Sequence, residues 1–359
     1  MPNHGLFITL ADKPTLELYL REGIFSQHMS PEPGLPNTYH HYRALGDYGS
    51  ARAGTHVFFF RNAKIYYGGQ IEGSDDHGAF YLNGSQSPLG RQANADLVWD
   101  ESKRSEYSEI DTGLFTRNDD DTADDAVCQP FLLQFEDKLG LRGNYISSDD
   151  LYFELGEYPY PLPTNAIMGM TFCTMSPAET ETLLQLLSTD PRGSISYDDA
   201  PAVSLQGDPV PYDPAYDIGM AEDAHMESHL EAAVIANPSL LPSELQPSTS
   251  AVCRQVPICP FKPENLDRAD VCYFDDSLKE GTVPDTIIEL KMNGAGADAA
   301  RQVKKYARWL NQRHSDIADD IDLIVYAPRF KRTFDNPEYI GEYAEKVTQW
   351  KFGEDAPLN

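Results

Sequence analysis

Short hydrophobic runs separated by Gly, Asn and Ser occupy residues 5–110. The runs GLFITL, THVFFF, KIYYGGQI, GAFYL and ADLVW are rich in aromatic and β-branched residues and predict strands. Between the first two, PTLELYLREGIF has a helical period, with Leu16, Leu20 and Ile24 on one face. Many short strands in succession favour a small barrel or a curled sheet.

A further strand and a helix follow this β-rich region. FLLQF predicts the strand, and SPAETETLLQLL predicts the helix. Ser176 is a suitable N-cap, Pro177 takes the first helical position and Glu179 completes a capping box.

The composition changes from Asp190 to Asp217, where Asp, Pro, Gly, Ser and Tyr dominate and helical periodicity disappears. We therefore predict a β-rich domain over 1–189, an acidic linker rich in Pro, Gly and Ser over 190–222, and a second domain over 223–359. A chain of 359 residues suits two domains of average size.

The second region alternates helices and strands. AEDAHMESHLEAAVIANP and ADAARQVKKYARWLNQRH predict helices, and AVCRQVPI, ADVCYF, TIIEL and DLIVYAP predict strands. This order is typical of helices packed on a mixed sheet, so the fold class is a two-domain protein of mixed α+β and α/β character.

The chain is strongly acidic, with 28 Lys and Arg against 57 Asp and Glu and a net charge of −29. Acidic residues occur along its whole length, which is typical of a surface adapted to high salt. An acidic mimic of nucleic acid, or a protein that binds a basic partner, is the alternative. The chain has no run of about 18 apolar residues and no signal-peptide pattern at its start, so we expect a soluble, cytoplasmic protein without membrane contact.

The pattern Glu-x-Lys occurs three times, at Glu101–Lys103, Glu136–Lys138 and Glu289–Lys291. Only the third copy has an upstream acidic residue, Asp270, before a predicted strand, and an amphipathic helix downstream. Because alternate strand residues share a face, Glu289 and Lys291 point the same way. Glu289 and Asp270 are candidate ligands of Mg²⁺ or Mn²⁺, and Lys291 is a candidate to orient water. The alternative is an exposed ion pair at a sheet edge.

The helix after this motif carries a basic stripe. Arg301, Lys304, Lys305 and Arg308 follow i, i+3, i+4, i+7 spacing, opposite an apolar face. Such a stripe in an acidic chain is suited to DNA phosphates, and Arg268 is added to the phosphate-binding set. The alternative is an ordinary solvated helix face.

Asp270, Glu289-x-Lys291, and then Gln302 and Tyr306 on the next predicted helix resemble the PD-(D/E)xK nuclease superfamily. Within it, Glu227-Ser-His-Leu230 followed by Asn237-Pro238 is similar to the C-terminal domain of NucS (EndoMS), and the resemblance covers about residues 223–330. The resemblance implies a restriction-endonuclease-like mixed sheet flanked by helices. It implies that Glu227, Asp270, Glu289 and the carbonyl of Leu290 bind the metal. It also implies that Gln302 and Tyr306 orient Lys291 and the scissile phosphate. Residues 1–190 do not resemble the N-terminal domain of NucS.

The segment GTHVFFFRNAKIYYGGQI in the first domain resembles PUA-like barrels, including the EVE and ASCH groups. That resemblance implies an aromatic pocket for RNA or a flipped base, with Tyr48, Phe60, Tyr67 and Trp99 as candidate walls. Aromatic residues on alternating strands are otherwise core residues.

The sequence thus predicts an Mg²⁺-dependent DNA endonuclease whose first domain directs restriction-like cleavage of modified or foreign DNA. One alternative is a repair endonuclease that cuts mismatched or branched DNA, as the NucS resemblance implies. Another is a non-catalytic nucleic-acid-binding protein. DNA is the expected partner, and assembly as a homodimer is left open.

Overall fold

A computed structural model describes residues 4–10, 13–26, 46–73, 80–82, 96–99, 131–155, 173–197, 203–206, 220–247, 252–259, 267–274 and 283–358. The protein is a mixed α/β structure with two mixed sheets and flanking helices. The two predicted helices and four predicted strands of the second region are present, and so are the strands of the first. Within the described residues, no helix is both long and apolar enough to cross a membrane.

The first half contains a nine-stranded sheet that includes β1 (Gly5–Thr9), β2 (Ile24–Ser26), β3 (His56–Arg61), β4 (Lys64–Ile71), β5 (Phe80–Leu82), β7 (Phe131–Glu136), β8 (Asn144–Ser147), β9 (Cys173–Met175) and β10 (Gly193–Ser194). Its main path runs β10-β8-β4-β3-β1-β9, and β7 pairs with β4, β2 and β5. Strand β1 is parallel to β3 and antiparallel to β9.

This sheet is accompanied by helices α1 (Lys13–Glu22), α2 (Ser148–Leu155) and α3 (Pro177–Thr189). The predicted start of α3 is confirmed. The Ser176 hydroxyl accepts from the Glu179 amide, and the Glu179 carboxylate accepts from the Ser176 amide at 2.8 Å. This reciprocal pair satisfies two amides that the helix itself leaves unpaired.

The predicted linker contains two short strands. Strand β10 pairs with β8, and β11 (Val203–Gln206) pairs with β6 (Asp96–Trp99) as a separate two-stranded sheet. Two-residue alternation in VSLQ permits the second strand despite the Pro- and Gly-rich surroundings. The predicted linker 190–222 therefore contains two segments that pair as strands with the first half.

The second half contains a five-stranded sheet in the order β12-β13-β14-β15-β16. The strands are β12 (Val252–Cys259), β13 (Asp267–Tyr273), β14 (Thr286–Leu290), β15 (Asp322–Ala327) and β16 (Val347–Lys351). Strands β12, β13 and β14 are antiparallel neighbours, whereas β14, β15 and β16 are parallel. A parallel pair needs a crossover, and helix α5 (Ala297–Arg313) supplies it between β14 and β15. Helix α4 (Glu227–Ala236) packs its apolar residues with the opposite face of the sheet.

The two halves are in direct contact. Strand β9 lies against β12, where the Thr174 hydroxyl accepts from the Arg254 amide at 3.1 Å and donates to the Arg254 carbonyl at 3.3 Å. Ala232 and Ala233 of α4 belong to the hydrophobic cluster of the first sheet. The Arg52 guanidinium donates to the carbonyl of Ile235 at the end of α4, at 2.9 Å. The halves thus share a polar and apolar interface.

Candidate functional site

Strand register brings the two candidate acids of the sheet together. Val271 pairs with Ile288 and Cys272 with Ile287, so the same register places Asp270 across from Glu289. Asp270 was expected at the boundary between a loop and β13 but lies well within the strand, because the ladder with β12 extends beyond it to Asp267. Its Oδ2 accepts from the Leu290 amide at 2.8 Å, which fixes the carboxylate against the end of β14.

Four oxygen-bearing groups surround the ammonium of Lys291, which directly follows β14. Lys291 Nζ lies 2.6 Å from Glu289 Oε1, 2.9 Å from the Leu290 carbonyl oxygen and 3.1 Å from Glu227 Oε1. Asp270 Oδ2 is 3.9 Å away. The structure therefore brings Glu227, Asp270, Glu289 and Lys291 to one place, although they come from three elements and a strand end.

Glu227 reaches this cluster from the first residue of α4, the helix on the opposite face of the sheet from α5. A carboxylate in the first turn is stabilised by the positive end of the helix dipole. The following residues of α4, among them Leu230, Val234 and Ile235, are buried in the sheet core and anchor the helix. The Glu227 side chain remains 45% exposed, whereas that of Glu289 is fully buried.

Tyr306 and Gln302 approach Glu289 from α5. The Tyr306 hydroxyl lies 3.1 Å from Glu289 Oε2 and donates to the Arg268 carbonyl at 2.6 Å. It also accepts from the Gln302 amide at 2.7 Å. Gln302 therefore acts on Glu289 through Tyr306. The hydrogen bonds of the Lys291 ammonium go to Glu227, Glu289 and the Leu290 carbonyl, not to Gln302 or Tyr306.

The charges of the cluster do not balance. Burial raises the pKa of Glu289 well above its ordinary value, and Asp270 raises it further. Partial burial, followed by the charge of Asp270, raises the pKa of Glu227. Burial lowers the pKa of Lys291, but the three carboxylates outweigh this effect and the net shift is upward. Burial and the charge of Glu289 raise the pKa of Tyr306. Three carboxyl groups for one ammonium favour additional positive charge at this position.

The donors of the cluster suit a hard divalent cation, because carboxylate and carbonyl oxygens are the ligands preferred by Mg²⁺ and Mn²⁺. Among the described residues, however, no group of three or more His, Cys, Asp or Glu side chains is arranged to hold a metal ion. The oxygens in question are directed at the Lys291 ammonium, which is itself a cation. The donor atoms therefore suit a divalent cation in chemistry, whereas their observed arrangement is centred on the Lys291 ammonium.

Sequence reasoning missed a second polar layer behind the site. The Gln255 amide donates to Asp270 Oδ1 at 3.0 Å and to Glu231 Oε1 at 2.9 Å. Glu231 also forms an ion pair with Arg254, and Arg254 forms another with Asp47. Glu231 lies one helical turn after Glu227, and this i, i+4 spacing is the sequence signal that could have identified it.

The basic stripe lies where it was predicted. Arg301, Lys305 and Arg308 are exposed and Lys304 is partly buried, while the opposite face of α5 packs in the sheet core. Arg301 is engaged by Asp298 at 2.6 Å and lies over the ring of Tyr339. Arg268, on β13, is partly buried.

The structure separates Tyr48 from the other described aromatic candidates of the first half. Tyr48 is buried in one hydrophobic cluster, where it stacks on Phe25, and Tyr67 is buried in another, against Phe58. Phe60 packs against the second cluster. The Trp99 side chain lies outside the described residues. Tyr48 and Tyr67 are thus core residues, whereas Phe60 is partly buried and packs against the cluster that contains Tyr67.

Comparisons with models of protein families, with curated proteins and with solved structures found no match.

Proposed function

We propose that the protein is a metal-dependent endodeoxyribonuclease that hydrolyses phosphodiester bonds at the cluster on β13, β14 and α4. The convergence of Asp270, Glu289 and Glu227 on Lys291 carries this proposal. A surface ion pair needs one acid for each base, whereas this cluster has an excess of buried acid that a divalent cation neutralises.

Asp270, Glu289, Glu227 and the carbonyl of Leu290 are the residues that would hold Mg²⁺ or Mn²⁺. Such an ion supplies Lewis-acid activation of water and neutralises charge that develops on the phosphate. Lys291, freed in part from the carboxylates, orients the attacking water or stabilises the phosphate with its ammonium. Tyr306, supported by Gln302, holds Glu289 in the orientation observed.

The basic stripe of α5 is the proposed contact for the DNA backbone. Arg301, Lys304, Lys305 and Arg308 lie on the crossover helix whose other residues, Gln302 and Tyr306, approach the cluster. Phosphate contacts on this helix position the duplex relative to the site without reading sequence. Arg268 lies on strand β13, two residues before Asp270.

In fold, this proposal corresponds to a restriction-endonuclease-like second domain joined to a PUA-like first domain. Such an architecture favours restriction-like cleavage of modified or foreign DNA, and repair-type cleavage of mismatched or branched DNA is the alternative. Because Tyr48 and Tyr67 lie in different core clusters, a base-binding pocket in the first domain does not rest on this pair.

The direct test is a cleavage assay on the intact protein at high KCl, since its charge of −29 calls for screening. We expect cleavage of DNA with Mg²⁺ or Mn²⁺, complete loss with excess EDTA and recovery when the metal is restored. Plain, base-modified, mismatched and branched DNAs compared side by side distinguish restriction from repair. Cleavage that persists in EDTA, or its absence on every substrate with both metals, contradicts the proposal.

One observation favours a non-catalytic alternative. Each of Glu227, Asp270 and Glu289 already has a partner within the protein, as in an ion cluster that serves stability alone. Under this alternative the protein binds nucleic acid through α5 and cuts nothing. A gel-shift assay with Mg²⁺ that shows DNA bound and intact over long incubation supports it.

A prediction for the basic stripe concerns the salt dependence of DNA binding. We expect Arg308→Gln to weaken binding to all DNA sequences alike and to reduce the slope of log affinity against log salt by about 1, since it removes one phosphate contact. Fluorescence anisotropy over a KCl series measures both quantities. Arg192→Gln, in the first half, removes a basic residue that is hydrogen-bonded to Asp150 and serves as the control. Equal slopes for Arg308→Gln and the wild type would remove α5 from the interface.

A further inference from the structure

Gln255 has an unusual backbone conformation for a residue in a strand. Its φ is +51°, in the left-handed region that residues other than Gly rarely adopt. The ladder between β12 and β13 pairs Arg254 with Val271 and Val256 with Ala269 but leaves Gln255 and Asp270 unbridged between them. Strain of this kind persists only where the surrounding contacts impose it.

The unusual conformation at Gln255 coincides with a break in side-chain alternation along β12. Cys253 and Val256 lie in the same hydrophobic cluster, although residues an odd number apart face opposite sides of a regular strand. Gln255 lies between these two residues, and its side chain is directed toward α4 as well as toward the neighbouring strand β13. Its amide then bridges Asp270 on the sheet and Glu231 on α4.

The chemistry of this bridge is specific to an amide. One –NH₂ group carries two donors, and it meets two carboxylate oxygens at 2.9 and 3.0 Å. Asp270 Oδ2 accepts from the Leu290 amide, so Gln255 supplies the donor for the other oxygen, Oδ1. Glu231 is in turn held by the buried guanidinium of Arg254, which also contacts Asp47 of the first half. The hydrogen bond to Glu231 therefore holds the Gln255 amide in place, and its second hydrogen bond orients the Asp270 carboxylate.

We propose that Gln255 is a positioning residue that holds the Asp270 carboxylate in the orientation needed to bind the divalent cation. This inference rests on the proposed function. Groups that hydrogen-bond to a ligating carboxylate typically contribute about 10- to 100-fold to metal affinity. Gln255 supplies such a bond to Asp270 Oδ1.

The test compares two substitutions that remove the amide but differ in their effect on the backbone. Gln255→Gly relieves the left-handed φ, whereas Gln255→Met retains the strain and nearly the same side-chain length. Gln246→Met is the control, because the Gln246 amide donates to the Leu241 carbonyl at 2.9 Å. Mn²⁺ affinity by isothermal titration calorimetry, thermal unfolding and cleavage rate are measured on all four full-length proteins.

We expect both Gln255 variants to bind Mn²⁺ about tenfold more weakly than the wild type. We also expect Gln255→Gly to unfold at a higher temperature than Gln255→Met, and Gln246→Met to bind Mn²⁺ like the wild type. Wild-type affinity in both Gln255 variants overturns this inference while the proposed function stands. Weakening in only one variant overturns it too, since backbone strain and not the amide then controls the affinity. A wild-type protein that binds no Mn²⁺ overturns the proposed function and this inference with it.

Discussion

Replacing Glu289 by Gln is expected to lower the rate of DNA cleavage about a thousandfold or more, equivalent to about 4 kcal/mol in the activation barrier. The substitution keeps the shape of the side chain but removes its charge, and Glu289 is the fully buried acid beside the Lys291 ammonium. Cleavage is measured under single-turnover conditions with Mg²⁺, and DNA binding by gel shift. Binding is expected to persist, because the basic stripe is unchanged.

Stability provides a second measurement on the same variant. Burial and the neighbouring Asp270 disfavour the charged form of Glu289, as its raised pKa indicates. A neutral amide at this position should therefore leave the urea midpoint unchanged or raise it. Loss of cleavage with intact stability separates chemistry from folding.

Glu136→Gln is the matched control for this substitution. Glu136 belongs to another Glu-x-Lys pair, ends strand β7 and forms a 2.5 Å ion pair with Lys138, but its side chain is 44% exposed. We expect this variant to cleave at the wild-type rate. Equal rates for Glu289→Gln and Glu136→Gln would contradict the assignment of the site.

The second large effect is expected at Arg254, whose substitution by Met should lower the free energy of unfolding by about 3–5 kcal/mol. The Arg254 guanidinium is 2% exposed and binds Glu231 through two nitrogen atoms at 3.0 and 3.1 Å, as well as Asp47. Removing it leaves two buried carboxylates without their cation. Urea unfolding at neutral pH measures the loss.

A charge-neutral combination tests the cause of this loss. Asp47→Asn with Glu231→Gln in the Arg254→Met background removes the uncompensated charges and should recover part of the stability. Arg192→Met is the control, because its ion pair with Asp150 is solvent-exposed and its loss should have a much smaller effect. If Arg254→Met destabilises the protein no more than Arg192→Met does, the buried ion pairs of Arg254 do not stabilise the fold.

Much of the second half followed from periodicity. The apolar run in TIIEL predicted β14, and the helical period of ADAARQVKKYARWL predicted α5. The shared face of Glu289 and Lys291 followed from the alternation of side chains along a strand. The basic stripe followed from the same helical spacing. These are local patterns that the sequence itself contains.

The remaining features depend on contacts that no local pattern contains. The left-handed φ of Gln255 arises in a stretch with ordinary strand composition, so propensity gives no sign of it. Arg254 and Asp47 are 207 residues apart, and their pairing appears only in three dimensions. The placement of Asp270 within β13 depended on pairing with β12, and Val347–Lys351 was not predicted as a strand because its apolar content is low.

The shared interface limits how this chain can be reorganised. Excising the second half at the Asp- and Pro-rich segment would uncover Ala232 and Ala233 and leave the Arg254 guanidinium without Asp47. A first half taken from another protein would have to provide that acidic partner and an apolar surface for α4 before the hybrid could fold. Recombination at this segment is thus expected to give unstable chains, and viable variants are expected to change at the surface of either half.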